Sequence, residues 1–459
     1  MGYLLGTVME KLDLRLRYGE EFLPLPNLPG VEVELYLPEP FPGEGRGVEE
    51  LVEEALAHPV GSEPLRELVR RVHPRNPVII VSDYTRNCHY PESLPVVLRE
   101  LSRGGLKPRQ LTILVGGGSH RPMVKDQLAA HLGREVLRRV GRVVVHDPED
   151  ESSHVSLGRT DRGTLVHLNR LAADADFLMI TGSITYHYFA GFSGGRKGLF
   201  PAVGATRSIV ENHRLAIDPV TGDFHPMARA GILKGNPVHE DLMDVCAMAR
   251  PDFMLDVIED ASGGVGAVVA GDYSYAHRRG CTIVEEHFGR LVPEVPYDLV
   301  IASCGGHPRD VNFYQAHKVM ENCARLVRDG GSLVLVARCE EGMGHTGFAD
   351  YREMASSHRL KEMLRHGYRP LAHLVLALVK KTERIHVVMV SELDPAEVSP
   401  FGVVVRESLP AALQEAFTKA GQVERVAVVP FGLNLTFIGK DQLLPRKEID
   451  ERKARYLGT

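Results

Sequence analysis

One lysine set among four glycines is the densest concentration of chemistry in this chain. The segment 183–204 reads SITYHYFAGFSGGRKGLFPAVG and places Gly191, Gly194, Gly195 and Gly198 around Lys197. Glycine costs backbone entropy, so such a cluster marks a backbone that approaches a ligand or turns through positive φ. A linker would be polar, whereas Tyr186, Tyr188, Phe189, Phe192 and Phe200 stand between these glycines. A packed ligand-binding loop is the expectation. A lysine there suits a covalent anchor or a phosphate partner. His187 lies ten residues before it and His213, in Glu211-Asn212-His213, sixteen residues after. A histidine on the following helix is a candidate metal ligand, although a surface position or a satisfied N–H is the commoner fate.

Three further loops carry groups that act on small anions. Ser82-Asp83-Tyr84-Thr85-Arg86 offers hydroxyls for phosphate or ribose oxygens and an arginine that grips a carboxylate at two points. A capped helix start with a surface arginine explains the same spacing equally well. Gly116-Gly117-Gly118-Ser119-His120-Arg121-Pro122 brings glycines and His120 to a helix entrance, where backbone N–H groups face an anion. Asn312-Phe313-Tyr314-Gln315-Ala316-His317-Lys318 sits early in a helix of the second half. Taken alone it reads as an ordinary solvated face.

These loops need strands to hold them. The apolar runs 77–83, 111–115, 143–146 and 177–181 each end in polar or glycine-rich residues, and helices are expected at 94–102, around 124–131 and at 205–215. Apolar strands that deliver loops at their carboxyl ends, alternating with helices, predict an α/β fold with mainly parallel sheets. The rhythm restarts with a helix at 273–288, a strand at 297–303, a helix at 311–328 and strands at 332–337, 385–391 and 425–430. Two α/β domains facing each other across an active-site cleft are therefore expected: 1–275 binding the cofactor and 276–459 closing over the substrate, its tail free to return to the first. The run 262–271 loosely imitates a dinucleotide fingerprint, but Val269 stands where a glycine is required, and Gly305-Gly306-His307 lacks the lysine of a phosphate loop. NAD and ATP are set aside.

Composition bounds the partners. The chain has 459 residues, 44% hydrophobic and 25% charged, with a net charge of −6. That is globular, and it argues against nucleic acid or an anionic membrane. Six scattered cysteines without a CxxC pair speak against structural zinc or iron–sulfur and suit a cytoplasmic location. No apolar run approaches the length of a membrane span.

Taken together, SDYTR at 82–86, GGGSHRP at 116–122, YHYFAGFSGGRKGLFPAVGA at 186–205, ENH at 211–213 and YQAHK at 314–318 resemble the nickel-pincer lactate racemase family and its relatives acting on other 2-hydroxy acids. The long glycine motif is specific, and the short ones gain weight from their order across more than half the chain. The resemblance implies a nickel-pincer nucleotide, a pyridinium-3-thioamide-5-thiocarboxylate mononucleotide holding nickel through S, C and S atoms. It would be covalent at Lys197, with His213 as the protein's nickel ligand. Asp83, Thr85, Arg86, Gly194 and Gly195 would hold the mononucleotide, while Arg86, Tyr314, Gln315 and Lys318 would take the substrate. His120 and His187 would be the acid/base pair. The implied partners are a small 2-hydroxy acid and cofactor-biosynthesis proteins; oligomeric state stays open.

The chemistry is coherent on its own terms. The α-proton of a 2-hydroxy acid is too weakly acidic for easy removal, whereas its hydroxyl proton can pass to a histidine while the α-hydrogen leaves as hydride. Return to the opposite face inverts the centre, so a base is wanted on each side, and imidazoles of pKa about 6.5 serve in either protonation state. Two other readings use the same residues: a cofactor-independent or other metal-dependent racemase or lyase with the His pair moving protons, and a non-catalytic nucleotide binder. Substrate choice is expected to lie around YQAHK, where Ala316 and His317 are not assigned to the lactate-specific pattern, and in Tyr186 and Tyr188. The acid is left open among lactate, malate, longer or aryl acids and sugar acids.

Overall fold

A computed structural model describes residues 14–42, 45–118 and 123–444. Its centre is two six-stranded sheets. The first runs, edge to edge, Val265–Gly271, Phe253–Glu259, Phe177–Ser183, Pro77–Ser82, Thr112–Gly116, Arg142–Val145. Every neighbouring pair is parallel except the first, which is antiparallel. The strands Pro77–Ser82 and Phe177–Ser183 are buried almost throughout, as strands covered by helices on both faces must be.

Chain order explains where a ligand belongs. From Pro77–Ser82 the chain builds outward through Thr112–Gly116 to Arg142–Val145, then returns to the other flank of Pro77–Ser82 with Phe177–Ser183. The order reverses between those two strands. In open α/β sheets the crevice outside the carboxyl ends at such a reversal is the binding site. The loops that emerge there are 83–86 and the glycine loop around Lys197.

The second sheet, Val403–Arg406, His386–Val390, Val327–Val336, Tyr297–Ser303, Arg425–Val429, Glu32–Leu35, is parallel throughout. Its own reversal lies between Tyr297–Ser303 and Arg425–Val429, and the loop after Ser303 leads into the helix Phe313–Cys323. Asn312 caps that helix by accepting from the Gln315 N–H at 3.0 Å, so it begins later than the 311 start expected from sequence.

The lobes divide differently from the expected boundary near 275. The helix Tyr275–Phe288 buries Ala276, Cys281, Val284 and Phe288 in the first lobe's core, which moves the crossing to about 289. The strand Glu32–Leu35 pairs with Arg425–Val429, so the start of the chain completes the second sheet, not the first. The tail crosses back: Gln442 Nε2 donates to Ala230 O at 2.7 Å and Leu444 N to Glu285 at 2.8 Å. The decoy glycine run is the edge strand Val265–Gly271. Its glycines make room for packing, since a Cβ on Gly266 would lie 2.5 Å from Phe41 and one on Gly271 would lie 2.2 Å from Val60 O.

Candidate active site

The aromatic run after Phe177–Ser183 folds into a two-residue antiparallel pair, Tyr186–His187 against Gly191–Phe192. The turn between them carries Phe189, which is 2% exposed and stands at the middle of the site. His187, His213 and His373 lie 4.5, 5.2 and 5.2 Å from its ring centroid, and Lys197 Nζ lies 5.8 Å away. Lys197, His187 and His213 thus surround one benzene ring.

Electrostatics give the same grouping. Burial pushes the Lys197 amine well below its ordinary value, and the Arg196 and Arg86 charges push it further. His187 is lowered well below the usual imidazole range by burial, then by Lys197, Arg86, His213 and Lys318. His213 is lowered by burial, then by Lys197 and His373. Lys318, from the other lobe, falls to about 7 through burial and Arg86, partly offset by Asp83. Each group feels the others because the cleft is poor in water. For Lys197 both effects favour the neutral amine, the form in which nitrogen is a nucleophile.

The loop is held from beneath by Arg196, which is 0% exposed. Its guanidinium donates to Ala190 O and Phe192 O at 2.8 Å and to Ser193 O and Gly194 O at 3.3 Å, with His277 Nε2 at 2.7 Å. One side chain thereby sets the path of the backbone between His187 and Lys197. Asp256 does the rest, accepting from Gly195 N–H at 2.5 Å. Burial raises its carboxyl to about 7, opposed by that N–H and by Arg196. Gly194 and Gly195 have φ of +68° and +53°, and a Cβ on them would stand 2.4 Å from Asp256 and 2.5 Å from His277. Positive φ is one of the two roles the sequence offered for this cluster, and the absence of a Cβ also lets Asp256 and His277 pack closely on that side.

His213 is held in one tautomer. Asp241, 0% exposed, accepts from Thr160 and Thr164 hydroxyls at 2.5 and 2.9 Å and from Asn212 Nδ2 at 2.8 Å. The Asn212 amide is therefore oriented with Oδ1 outward, and Oδ1 lies 3.2 Å from His213 Nδ1. An amide oxygen only accepts, so Nδ1 carries the proton and Nε2 presents a lone pair, the arrangement a metal-binding histidine needs. Among the described residues no group of three or more His, Cys, Asp or Glu is placed to hold a metal ion. A metal at His213 would take its other donors from a bound group. In His187 the Ala190 N–H points at Nδ1 at 3.3 Å, so the neutral ring carries its proton on Nε2.

The remaining expected residues sit at the two reversals. Asp83, 4% exposed, accepts from Thr85 N and Oγ1 at 3.1 and 2.5 Å, so the pair shapes its own loop. A Cβ on Gly117 would meet Asp83 Oδ2 at 2.9 Å, which packs the 116–118 loop against this turn. Arg86 acts on His187, Lys197, Tyr314 and Lys318 alike, which puts its charge at the centre of the cleft. Lys318 Nζ donates to Gln315 Oε1 at 2.6 Å and lies 5.8 Å from the Tyr314 ring. His120 lies outside the described residues. Sequence reading missed Tyr368 and His373, whose hydroxyl and Nδ1 are 2.5 Å apart. His373 hides in the apolar run of the helix Ala372–Thr382, where a single imidazole was the only available signal.

Known proteins share this architecture. Residues 18–222 match the lactate racemase N-terminal domain and 292–437 the lactate racemase C-terminal domain. A lactate racemase of Lactiplantibacillus plantarum is 33% identical over 397 residues, 84% of this chain and 90% of that protein. One of Thermoanaerobacterium thermosaccharolyticum is 34% identical over 302 residues, 65% and 68% of the two chains. The solved lactate racemase apoprotein of the latter organism superimposes with a TM-score of 0.84 at 28% identity, covering 93% of this chain and all of that one. A Thermotoga maritima protein shares the fold at a TM-score of 0.64 and 17% identity over 88% of this chain.

Proposed function

The chain belongs to the lactate racemase family and is an isomerase of the racemase kind, and from that premise we propose that it inverts C2 of a 2-hydroxy acid, lactate or a close relative, at the cleft around Phe189. The observation that carries this reading is the convergence of Lys197, His187 and a tautomer-fixed His213 on one buried ring, with the Arg86 and Lys318 charges both felt by His187.

Arg86 and Lys318 bind the substrate carboxylate, with Gln315 holding the Lys318 ammonium in place. Their charges are desolvated before the substrate arrives, so an anion that enters gains more than it would in water. His187 meets the C2 hydroxyl at Nε2. Taking the hydroxyl proton there requires its own proton on Nδ1, at the loss of one long contact from Ala190. His120, outside the described residues, would serve as the second base that inversion requires. Lys197 would hold the nickel-pincer nucleotide as a thioamide, and His213 Nε2 would be the protein's donor to its metal. When bound, that group supplies a site that takes the α-hydrogen as hydride and returns it. The Tyr188 ring, stacked on His187 and edge-on to Phe189, keeps water from the reacting carbon.

No helix among the described residues is long and apolar enough to cross a membrane. All six cysteines are buried free thiols, which supports a cytoplasmic setting. The protein would receive its cofactor from biosynthesis proteins there.

The test uses protein made together with those biosynthesis proteins. Wild type should gain the cofactor's mass on Lys197 and retain nickel, and Lys197→Ala should do neither. Substrate deuterated at C2 should keep its label through inversion. Rapid loss of label to water, or full activity in Lys197→Ala, would replace hydride return with proton abstraction by the histidines.

A further inference from the structure

The helix Phe313–Cys323 brings to the cleft a buried polar atom that no role above uses. His317 is 2% exposed, and its Nδ1 lies 2.6 Å from Tyr314 O. A carbonyl oxygen only accepts, so Nδ1 holds the proton and Nε2 is left with a lone pair. That Nε2 is buried and has no hydrogen-bond partner. Because Nδ1 turns back on its own helix, Nε2 points away from it, toward the opposite lobe. Tyr188, next in sequence to His187, stands there with its ring perpendicular to the imidazole at 6.2 Å.

The surroundings are polar in the same way. His373 stacks on Tyr188 at 6.0 Å and on Tyr368 at 5.6 Å, and its ring lies 6.1 Å from His213. Lys318, which would hold the carboxylate, is the next residue of the helix. A 2-hydroxy acid bound between Lys318 and His187 therefore extends its C3 end toward imidazoles and phenols, where a methyl group would want an apolar wall. An orphaned acceptor in such a wall is costly unless a donor reaches it.

We propose that His317 is a specificity-determining residue whose Nε2 accepts a hydrogen bond from a hydroxyl on C3 of the substrate, so that the acid inverted here is a 2,3-dihydroxy or longer polyhydroxy acid. The inference rests on the racemase reading above and narrows its substrate. Burial and the Lys318 charge hold His317 down to about 3, so it stays a neutral acceptor through the physiological range. A tail carboxylate has no proton to give and would face this lone pair, which disfavours a dicarboxylic substrate.

Holo-protein is assayed by chiral chromatography with lactate, with 2,3-dihydroxypropanoate, which differs from lactate by one hydroxyl, and with 2-hydroxybutanedioate. One hydrogen bond to a buried neutral acceptor predicts a kcat/KM about tenfold higher for the dihydroxy acid than for lactate. His317→Leu should bring that ratio to within about twofold of one, whatever the absolute rates. His317→Gln, which restores an acceptor, should recover part of it and guards against a folding artefact. Preference for lactate or the dicarboxylate, or an unchanged ratio in His317→Leu, overturns this inference and leaves the racemase reading standing. Inversion of none of the three acids overturns both.

Discussion

Replacing Asn212 by leucine tests whether the protein prepares His213 before any metal arrives. In the wild type the Asp241 carboxylate fixes the Asn212 amide, and the amide oxygen fixes the proton on His213 Nδ1. A neutral hydrogen bond of this kind is worth about 1 kcal/mol. That tilts the tautomer ratio about fivefold. Leucine is of similar size but removes the link, so the ratio of Nδ1- to Nε2-protonated ring should fall by about that factor. Loss of a second-layer partner of a metal-binding histidine typically weakens the metal by about 10–100-fold. Long-range nitrogen–proton NMR of protein labelled with 15N-histidine reads the tautomer without cofactor, and nickel retained by holo-protein during dialysis reads the affinity. Asp241 also loses one of its three donors, with a stability cost of about 1–3 kcal/mol that urea unfolding would record separately. Wild-type His213 protonated on Nε2, or an unchanged tautomer in Asn212→Leu, would refute the reasoning.

Two further outcomes follow from the charges and the loop. Lys318 is held down to about 7, so its positive charge is lost as pH rises through that value. KM for a carboxylate substrate should climb by up to about tenfold per pH unit above 7, a limb that Lys318→Met should flatten while raising KM throughout. The same depressed pKa means the unfolded chain binds the extra proton between about 7 and the ordinary 10.5, so this residue's cost to stability is full below 7 and fades toward 10.5. Arg196→Met should strand the carbonyls of Ala190 and Phe192 inside the protein. Removing the partner of buried, charge-assisted bonds predicts a loss of about 3–5 kcal/mol in the first lobe. Protease susceptibility of the 187–198 segment and urea unfolding would measure it, and a loss below about 1 kcal/mol would show that the loop holds its shape without the guanidinium.

The strands and their order of chemistry were legible because buried parallel strands are written as short apolar runs. The strands Tyr297–Ser303 and Arg425–Val429 emerge where the pattern put them. What was not legible depended on contacts distant in sequence. The Glu32–Leu35 strand alternates like a half-buried strand of either lobe, and only pairing with Arg425–Val429 assigns it. The hairpin His154–Arg159 with Leu165–Asn169 carries too few apolar residues in step to announce itself. Arg196 reads as a charge beside a lysine, which on most loops is a solvated pair. Its burial follows from four carbonyls turned inward by a backbone whose course the sequence does not state.

The cleft also explains why its chemistry looked weak residue by residue. Arg86, Lys197 and Lys318 each lower one another or their histidine neighbours, and the one acidic side chain at the same turn, Asp83, is bound to Thr85. Crowding cations in a water-poor site destabilises the fold, and Asp83 offsets the effect on Lys318 only in part. Such an arrangement is favourable only when an anion enters. A carboxylate between Arg86 and Lys318 restores the Lys318 proton, while a group anchored at Lys197 removes that amine from the count of bases altogether. Fold and function then pull in opposite directions at one place, and the buried scaffold of Arg196, Asp256 and Asp241 is what holds the site open against its own repulsion.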